Sequence, residues 1–559
     1  MHSVNILNRS MELIECKDKW IYDETHGCWC LEDILYTSEA TTPKFQRLSI
    51  FVPKALLNAD GSFPEEARKV PVVFENNSAG YMQMPHVWLD GPRCYAQQYL
   101  DHGLIYVSAG CRGRGSRDAA GNLIKGPCSL VDLKTAIRFL RHNRSVLPGD
   151  WDRIISAGWS AGGAMSALLG VTGDNENYLP YLKENGAFLD ESDAVFAAQI
   201  YCPIIDLEHA DLAYEWMFHA DKESEPCLES PAEVMTPFKE ALSQTLSRQY
   251  VEYFNSLDLR HPDTGELLRL NRDGRSGSGY CYLMQLLNDS ASDFLTRLEL
   301  GKLPEKYSAA DYICGNYIAK APAPRGPQPG HDPGMHHAGP GMQFSPAGEP
   351  PSAPPCLGDL LSRPPKGVPF IDMKPRLIDI PGRAKPWLNW DGKRASISDL
   401  DTYVLNHRRR MKPCTAFDRL DANSGENQAF GTPDRDYVHY STDIAPALAQ
   451  LKDTYPAECE RYYSSYCAVA QDRALAERVR LMNPMSFIGT AERSTQAKHY
   501  RIRVGACDAD TSFCVSMVLA LKLRNAGYDS VDYALVWDQP HCEADYPGDV
   551  LTWIDSICK

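Results

Sequence analysis

The strand-like run RIISAG (Arg153 to Gly158) passes into the helix-like run AMSALLG across only five residues, GWSAG (Gly158 to Gly162). A short, buried strand that feeds directly into a helix is half of a βαβ unit. Parallel neighbours need a crossover of a dozen or more residues, and that crossover is usually a helix. The turn is also tight, and glycines flank Ser160 where a Cβ would crowd the passing backbone. This junction therefore constrains the chain to an α/β architecture.

The surrounding sequence repeats the rhythm. RLSIFVP (Arg47 to Pro53), KVPVVFENN (Lys69 to Asn77), GLIYVSAG (Gly103 to Gly110) and AVFAAQIYCPII (Ala194 to Ile205) read as buried strands. SLVDLKTAIRFLRHNRSVLPGD carries Leu130, Leu133, Ile137 and Leu140 at helical spacing, with Pro148-Gly149 as the expected stop. The pattern resumes late: HYRIRVGAC as a strand, TSFCVSMVLALKLRNAG as a helix closed by Gly527, VDYALVW as a strand and GDVLTWIDSICK as a last helix. Charged helical segments and loops lie between. The expectation is an α/β-hydrolase fold, a mostly parallel sheet with helices on both faces. Residues 1–205 and 487–559 would form it, and a large, mainly helical lid insertion would occupy 206–486. Inside the insertion, Pro322 to Pro369 holds 14 of the 39 prolines. That composition buries too little apolar surface to offset chain entropy, so residues 321–371 are expected to form a mobile loop.

Charge and composition exclude several classes. A net charge of −16 argues against a nucleic-acid partner. No run of about 18 apolar residues suggests a membrane span, and the polar, charged N-terminus lacks a signal-peptide pattern, which points to the cytoplasm. The 18 cysteines are scattered singly and read mainly as small buried apolar residues. Cys28 and Cys30 in CWC lack a second pair at zinc-site spacing, and His331, His336 and His337 sit in the Pro-rich stretch with no rigid element to gather them. No metal and no cofactor are expected.

GWSAG has the form of a nucleophile elbow, which needs a sharp strand-to-helix turn that exposes the Ser160 hydroxyl. Such a hydroxyl needs an adjacent base oriented by a carboxylate. In this fold class the order is Ser, acid, His, with the acid and His after late strands. GACDADTS supplies Asp508 and Asp510, and WDQPHCEAD supplies His541. Spacing leaves open which aspartate is the acid and which could cap the following helix. The oxyanion hole is expected from the amides of Ala161, directly after the nucleophile, and Gly80, in the loop ENNSAGY.

At these residues the chain resembles the bacterial tannases, or tannin acyl hydrolases. The likeness runs through AGCRGRG, LPGDWDRIISAGWSAGGA, YCPIIDLEHADLAYEW, RMKPCTAFDRLDANSGENQAFG, NPMSF, HYRIRVGACDADTS and DYALVWDQPH. The resemblance implies that Asp508 is the triad acid and His541 the base. It implies that Lys412, Glu426 and Asp510 read the three adjacent hydroxyls of a galloyl ring, and that Ile204 packs on the ring face. Where the family has a Pro against the opposite face, this chain has Gly425. The Pro-rich stretch 321–371 is an addition to the family pattern, and Cys507 and Cys542, beside Asp508 and His541, raise the possibility of a facing pair.

The implied partner is a small-molecule phenolic ester, with no nucleic acid or membrane, taken by a monomer or small homo-oligomer. The implied reaction is hydrolysis of galloyl esters and hydrolysable tannins through an acyl-enzyme. The nearest rival is the same triad acting on feruloyl or other hydroxycinnamoyl esters. More distant rivals are a peptidase and a catalytically inactive hydrolase fold used for binding.

Overall fold

The computed structural model describes residues 19–89, 94–224, 233–305, 307–317, 383–432 and 434–559. The stretch 321–371, with its three histidines, lies outside them. At the centre is a nine-stranded sheet made of β1 (Ile21–Asp23), β2 (Cys28–Leu35), β3 (Arg47–Pro53), β4 (Pro71–Asn76), β5 (Ile105–Ala109), β6 (Asp150–Trp159), β7 (Ala197–Tyr201), β8 (His499–Gly505) and β9 (Val531–Val536). Their spatial order is β1-β2-β3-β5-β4-β6-β7-β8-β9. β1, β2 and β3 join antiparallel, and every pair from β5 to β9 is parallel. The sheet is thus mostly parallel, as an α/β hydrolase requires.

Successive side chains of a strand point to opposite faces, and the core divides accordingly. Val72, Val107 and Ile154 belong to one apolar cluster, whereas their neighbours Val73, Tyr106 and Ile155 belong to another. The first is covered by the helices Cys128–His142, Ala161–Val171 and Phe513–Asn525, and the second by Ala96–Asp101 and Asp549–Ile557. Each fully buried Val, Leu or Ile contributes roughly 1.5–3 kcal/mol relative to exposure. Both faces therefore read as continuous apolar runs in sequence.

Two local expectations are adjusted. The helix expected to stop at Pro148-Gly149 ends earlier, at His142, where the Asn143 side chain donates to the Phe139 carbonyl at 2.8 Å and turns the chain out. The strand expected over Ala194 to Ile205 shortens to β7, because Cys202 has a positive φ (38°) and leaves the sheet.

Residues between 206 and 486 form helices that include Ala210–Phe218, Pro237–Ser256, Ser278–Glu299, Leu400–His407 and Pro456–Val469. Their apolar side chains, such as Trp216, Leu242, Leu287 and Val404, belong to the same cluster as Leu168 and Ile200 beside the sheet. Among the described residues no helix is long and apolar enough to cross a membrane. Every described cysteine is a free thiol, Cys507 and Cys542 included. The Cys28 and Cys30 sulfurs lie 3.8 Å apart in β2.

Candidate active site

Ser160 sits between β6 and the helix Ala161–Val171 with φ 62° and ψ −128°, a left-handed conformation that a non-glycine residue rarely holds. Packing holds it there. A Cβ on Gly158 would fall 2.5 Å from the Gly162 carbonyl oxygen, and one on Gly163 would fall 2.4 Å from that of Tyr201. Asn76, at the end of β4, clasps the turn from beneath: its Nδ2 donates to the Ala157 carbonyl (2.9 Å), the Gly162 carbonyl (3.1 Å) and Ser166 Oγ (3.0 Å). The Ser160 amide donates to the Tyr201 carbonyl, and the Ile204 amide donates to the Ser160 carbonyl. The half-buried side chain is left at the carboxyl edge of the sheet, where open α/β sheets place their ligands.

His541 follows β9 and Asp508 follows β8. His541 Nε2 lies 2.8 Å from Ser160 Oγ, and its Nδ1 lies 2.8 Å from Asp508 Oδ2. Asp508 is fully buried. Its other oxygen accepts from the amides of Asp510 (2.9 Å) and Thr511 (3.4 Å). The helix cap that spacing left open is Ser512, whose hydroxyl accepts from the Cys514 amide.

The charges within this group are strongly coupled. Burial pushes the Asp508 carboxyl up, but the His541 charge, the hydrogen bond to it and the Arg408 guanidinium outweigh burial and hold it below the usual carboxylate range. Burial pushes the His541 imidazole down, and the carboxylates of Asp508 and Asp510 reverse this, holding it well above its ordinary value. Arg408 is itself buried, between the rings of Phe218 and Phe513, and donates to the Thr511 carbonyl.

The first amides of the helix Ala161–Val171, that of Ala161 among them, have no partner one turn back within the helix. Gly80 has a positive φ (52°), and its carbonyl accepts from Arg114 Nε at 2.6 Å. The same guanidinium reaches the short helix Gly425–Ala429: Arg114 Nη1 donates to Gln428 Oε1 at 3.1 Å. A Cβ at Gly425 would lie 2.8 Å from Arg114 Cζ. Arg114 thus fills the space beside Gly425.

Glu426 lies on that helix, fixed by the capping box between Ser424 and Asn427. Its charge reaches Tyr81, whose phenol is raised mainly by burial and then by Glu426. The Tyr81 hydroxyl donates to the Ile204 carbonyl at 2.5 Å. Glu426, Tyr81, Ile204 and Ser160 are therefore linked. Lys412 is buried with its Nζ 4.1 Å from the centre of the Phe417 ring. Its amide donates to the Tyr214 hydroxyl (2.9 Å), which donates in turn to the Ala509 carbonyl (2.9 Å), between Asp508 and Asp510. Sequence reasoning gave Asn76, Tyr81, Arg114, Tyr214 and Arg408 no role of their own, because their partners lie far away in the chain.

The sheet topology, the strained serine at a strand–helix turn and the serine–histidine–aspartate contact define an enzyme of the α/β-hydrolase class. A family model described as BD-FAE matches residues 99–236. A comparison with curated proteins gave no match. Among solved structures, the native tannin acyl hydrolase from Lactobacillus plantarum is 30% identical, with a TM-score of 0.70 over 97% of this chain and 98% of that one. A tannin acyl hydrolase in complex with ethyl gallate is also 30% identical (TM-score 0.69, 95% and 94% covered). The Fusobacterium nucleatum tannase is 28% identical (TM-score 0.68, 95% and 95% covered). The chain belongs to this family, the bacterial tannases, and is a carboxylic ester hydrolase.

Proposed function

We propose that the protein hydrolyses galloyl esters, including hydrolysable tannins, through a Ser160 acyl-enzyme. The observation that carries this reading is His541 held 2.8 Å from both Ser160 Oγ and Asp508 Oδ2. His541 takes the Ser160 proton as the hydroxyl attacks the ester carbonyl, while Asp508 holds the ring and stabilises the imidazolium. The Ala161 and Gly80 amides receive the oxyanion. His541 then protonates the departing alkoxide, and water repeats the sequence on the acyl-enzyme. None of these steps calls on a metal or cofactor.

Acyl recognition falls to Lys412, Glu426 and Asp510. Three adjacent phenols offer three donors on one ring edge. Carboxylates accept from them and an ammonium donates to a phenolic oxygen, all in charge-assisted bonds. Ile204 supplies an apolar face. A site built around such bonds rejects a ring lacking the hydroxyls by roughly 10⁴- to 10⁵-fold, because buried polar groups are left unpaired. The residues between 206 and 486 act as a lid that brings Lys412 and Glu426 to the sheet edge. The galloyl reading is preferred to the feruloyl one because the relatives are named tannin acyl hydrolases, one of them in complex with ethyl gallate.

The test compares hydrolysis of methyl gallate, methyl ferulate and methyl benzoate by the wild type, Ser160→Ala and Lys412→Ala. A gallate preference that Lys412→Ala removes, with Ser160→Ala inactive, is the expected result. Equal rates on the three esters would leave the serine esterase and discard the galloyl site.

A further inference from the structure

Cys507 immediately precedes Asp508, and its thiol lies 3.0 Å from Nε2 of His407. The side chain of Asp538 completes a group of three whose donor atoms all lie within 4.8 Å of one another. The three residues come from separate elements. His407 ends the helix Leu400–His407, Cys507 follows β8, and Asp538 follows β9 in a left-handed turn (φ 60°). We propose that His407, Cys507 and Asp538 form a binding site for one zinc-class divalent cation, independent of ester hydrolysis.

The donor set is one imidazole nitrogen, one thiolate sulfur and one carboxylate oxygen, the three ligand types that zinc takes. A thiolate and a carboxylate together neutralise a dication, so the loaded site carries no net charge into the protein interior. The orientation of the His407 imidazole is set by stacking on Trp537 at 4.7 Å and by the rings of Trp387 and Tyr403.

The surroundings also resemble the outer shell of a metal site. Asp538 Oδ1 accepts from the Tyr312 hydroxyl at 3.3 Å, and that hydroxyl accepts from Trp537 Nε1 at 3.0 Å. Asp538 is half-buried whereas His407 and Cys507 are buried, so solvent reaches the group from the Asp538 side. A fourth, water-filled position would lie there. Lys385 and Arg408 oppose the incoming charge, but Lys385 Nζ is engaged by the Tyr317 hydroxyl (2.9 Å) and Arg408 by the Thr511 carbonyl.

Binding replaces the thiol proton: the Cys507 S–H bond breaks, a sulfur–metal bond forms, and one proton leaves to solvent for each ion bound. The ion would tie the helix Leu400–His407 to the loops that carry Asp508 and His541. A second group, Cys202, Asp508 and His541, also offers three donors. An ion there would take the base of the reaction, which makes the two sites distinguishable.

The experiment uses the full chain, stripped with a chelator and titrated with cobalt(II), then with zinc in competition. The expected result is one equivalent of cobalt giving a thiolate charge-transfer band and tetrahedral visible bands, with a raised Tm and esterase activity retained. Cys507→Ser should abolish the band and weaken cobalt binding by more than about 10-fold, the least that loss of even an outer-shell partner costs. Asp538→Asn should weaken binding less, and Cys202→Ser should leave the band intact. Cys507→Ser keeps nearly the volume of the thiol, so a folded control is available even if a His407 variant fails to fold. Absence of a thiolate band in the wild type would overturn the proposal. So would a band that survives Cys507→Ser, or one that disappears in Cys202→Ser together with activity.

Discussion

The Tyr214 hydroxyl donates to the Ala509 carbonyl at 2.9 Å while accepting from the amides of Met411 (3.2 Å) and Lys412 (2.9 Å). One buried phenol therefore joins the loop of Asp508 and Asp510 to the segment carrying Lys412. Tyr214→Phe keeps the ring but strands two amides and a carbonyl. The expected cost is about 1–3 kcal/mol, the penalty for buried groups left unsatisfied, read as a lower unfolding free energy. KM for methyl gallate should rise as Lys412 loses its register, with a smaller change for methyl benzoate.

Gly425→Ala tests the bridge between Gly80 and the Glu426 helix. The new Cβ would lie 2.8 Å from Arg114 Cζ, so the guanidinium must shift and release the Gly80 carbonyl it holds at 2.6 Å. The end of a flexible side chain moves cheaply, and Tm should stay near that of the wild type. The rate should fall, by up to about 10²-fold if the Gly80 amide is displaced from the oxyanion. An unchanged kcat would separate Arg114 from the oxyanion loop.

The proposed mechanism requires neutral His541. The imidazole is held above its ordinary value despite burial, by Asp508 first and Asp510 second. The acid limb of kcat/KM should therefore fall above pH 6.5. Asp510→Asn removes one of the two charges, so the limb should move to lower pH even as gallate binding weakens. A limb unmoved by Asp510→Asn would show that Asp510 does not reach the base electrostatically.

A second histidine gives a stability signature of its own. Burial pushes His209 down, but its hydrogen bond with Asp443 and the charges of Asp206, Asp443 and Glu208 raise it to about 9. A folded pKa above the unfolded one favours the protonated native state. This stabilisation is complete below the unfolded value near 6.5 and is lost as pH rises towards 9. Asp443→Asn should lower the unfolding free energy at pH 6 and have less effect above pH 9, as measured by denaturant unfolding at each pH.

The backbone skeleton of the site was legible because apolar periodicity is a local property. The run from Arg153 through Ser160 into the following helix, and the two late strands that precede Asp508 and His541, each declare themselves within about ten residues. Fold class then dictated which ends of those strands face the serine. The acid could be narrowed only to Asp508 or Asp510 by spacing. Tertiary structure distinguished their surroundings, placing the Asp508 carboxylate against His541 and leaving Asp510 less buried beside it.

What periodicity could not encode is which polar groups share buried space once the elements pack. Tyr214 and Ala509 are 295 residues apart, Arg114 and Gln428 are 314 apart, and His407 and Cys507 are 100 apart. None of these pairs leaves a mark in the local sequence, because a buried hydrogen bond is required by the exclusion of water from a finished interior and not by the propensity of either segment. By itself the sequence determined the strands from β3 onward and the helices between them to within a few residues at their ends, the serine turn and the charged side chains to be placed, while β1 and β2 were not read from it. Only the packing of distant segments decided which of those charges meet, since burial raises the cost of an unpaired group after the neighbours have been chosen.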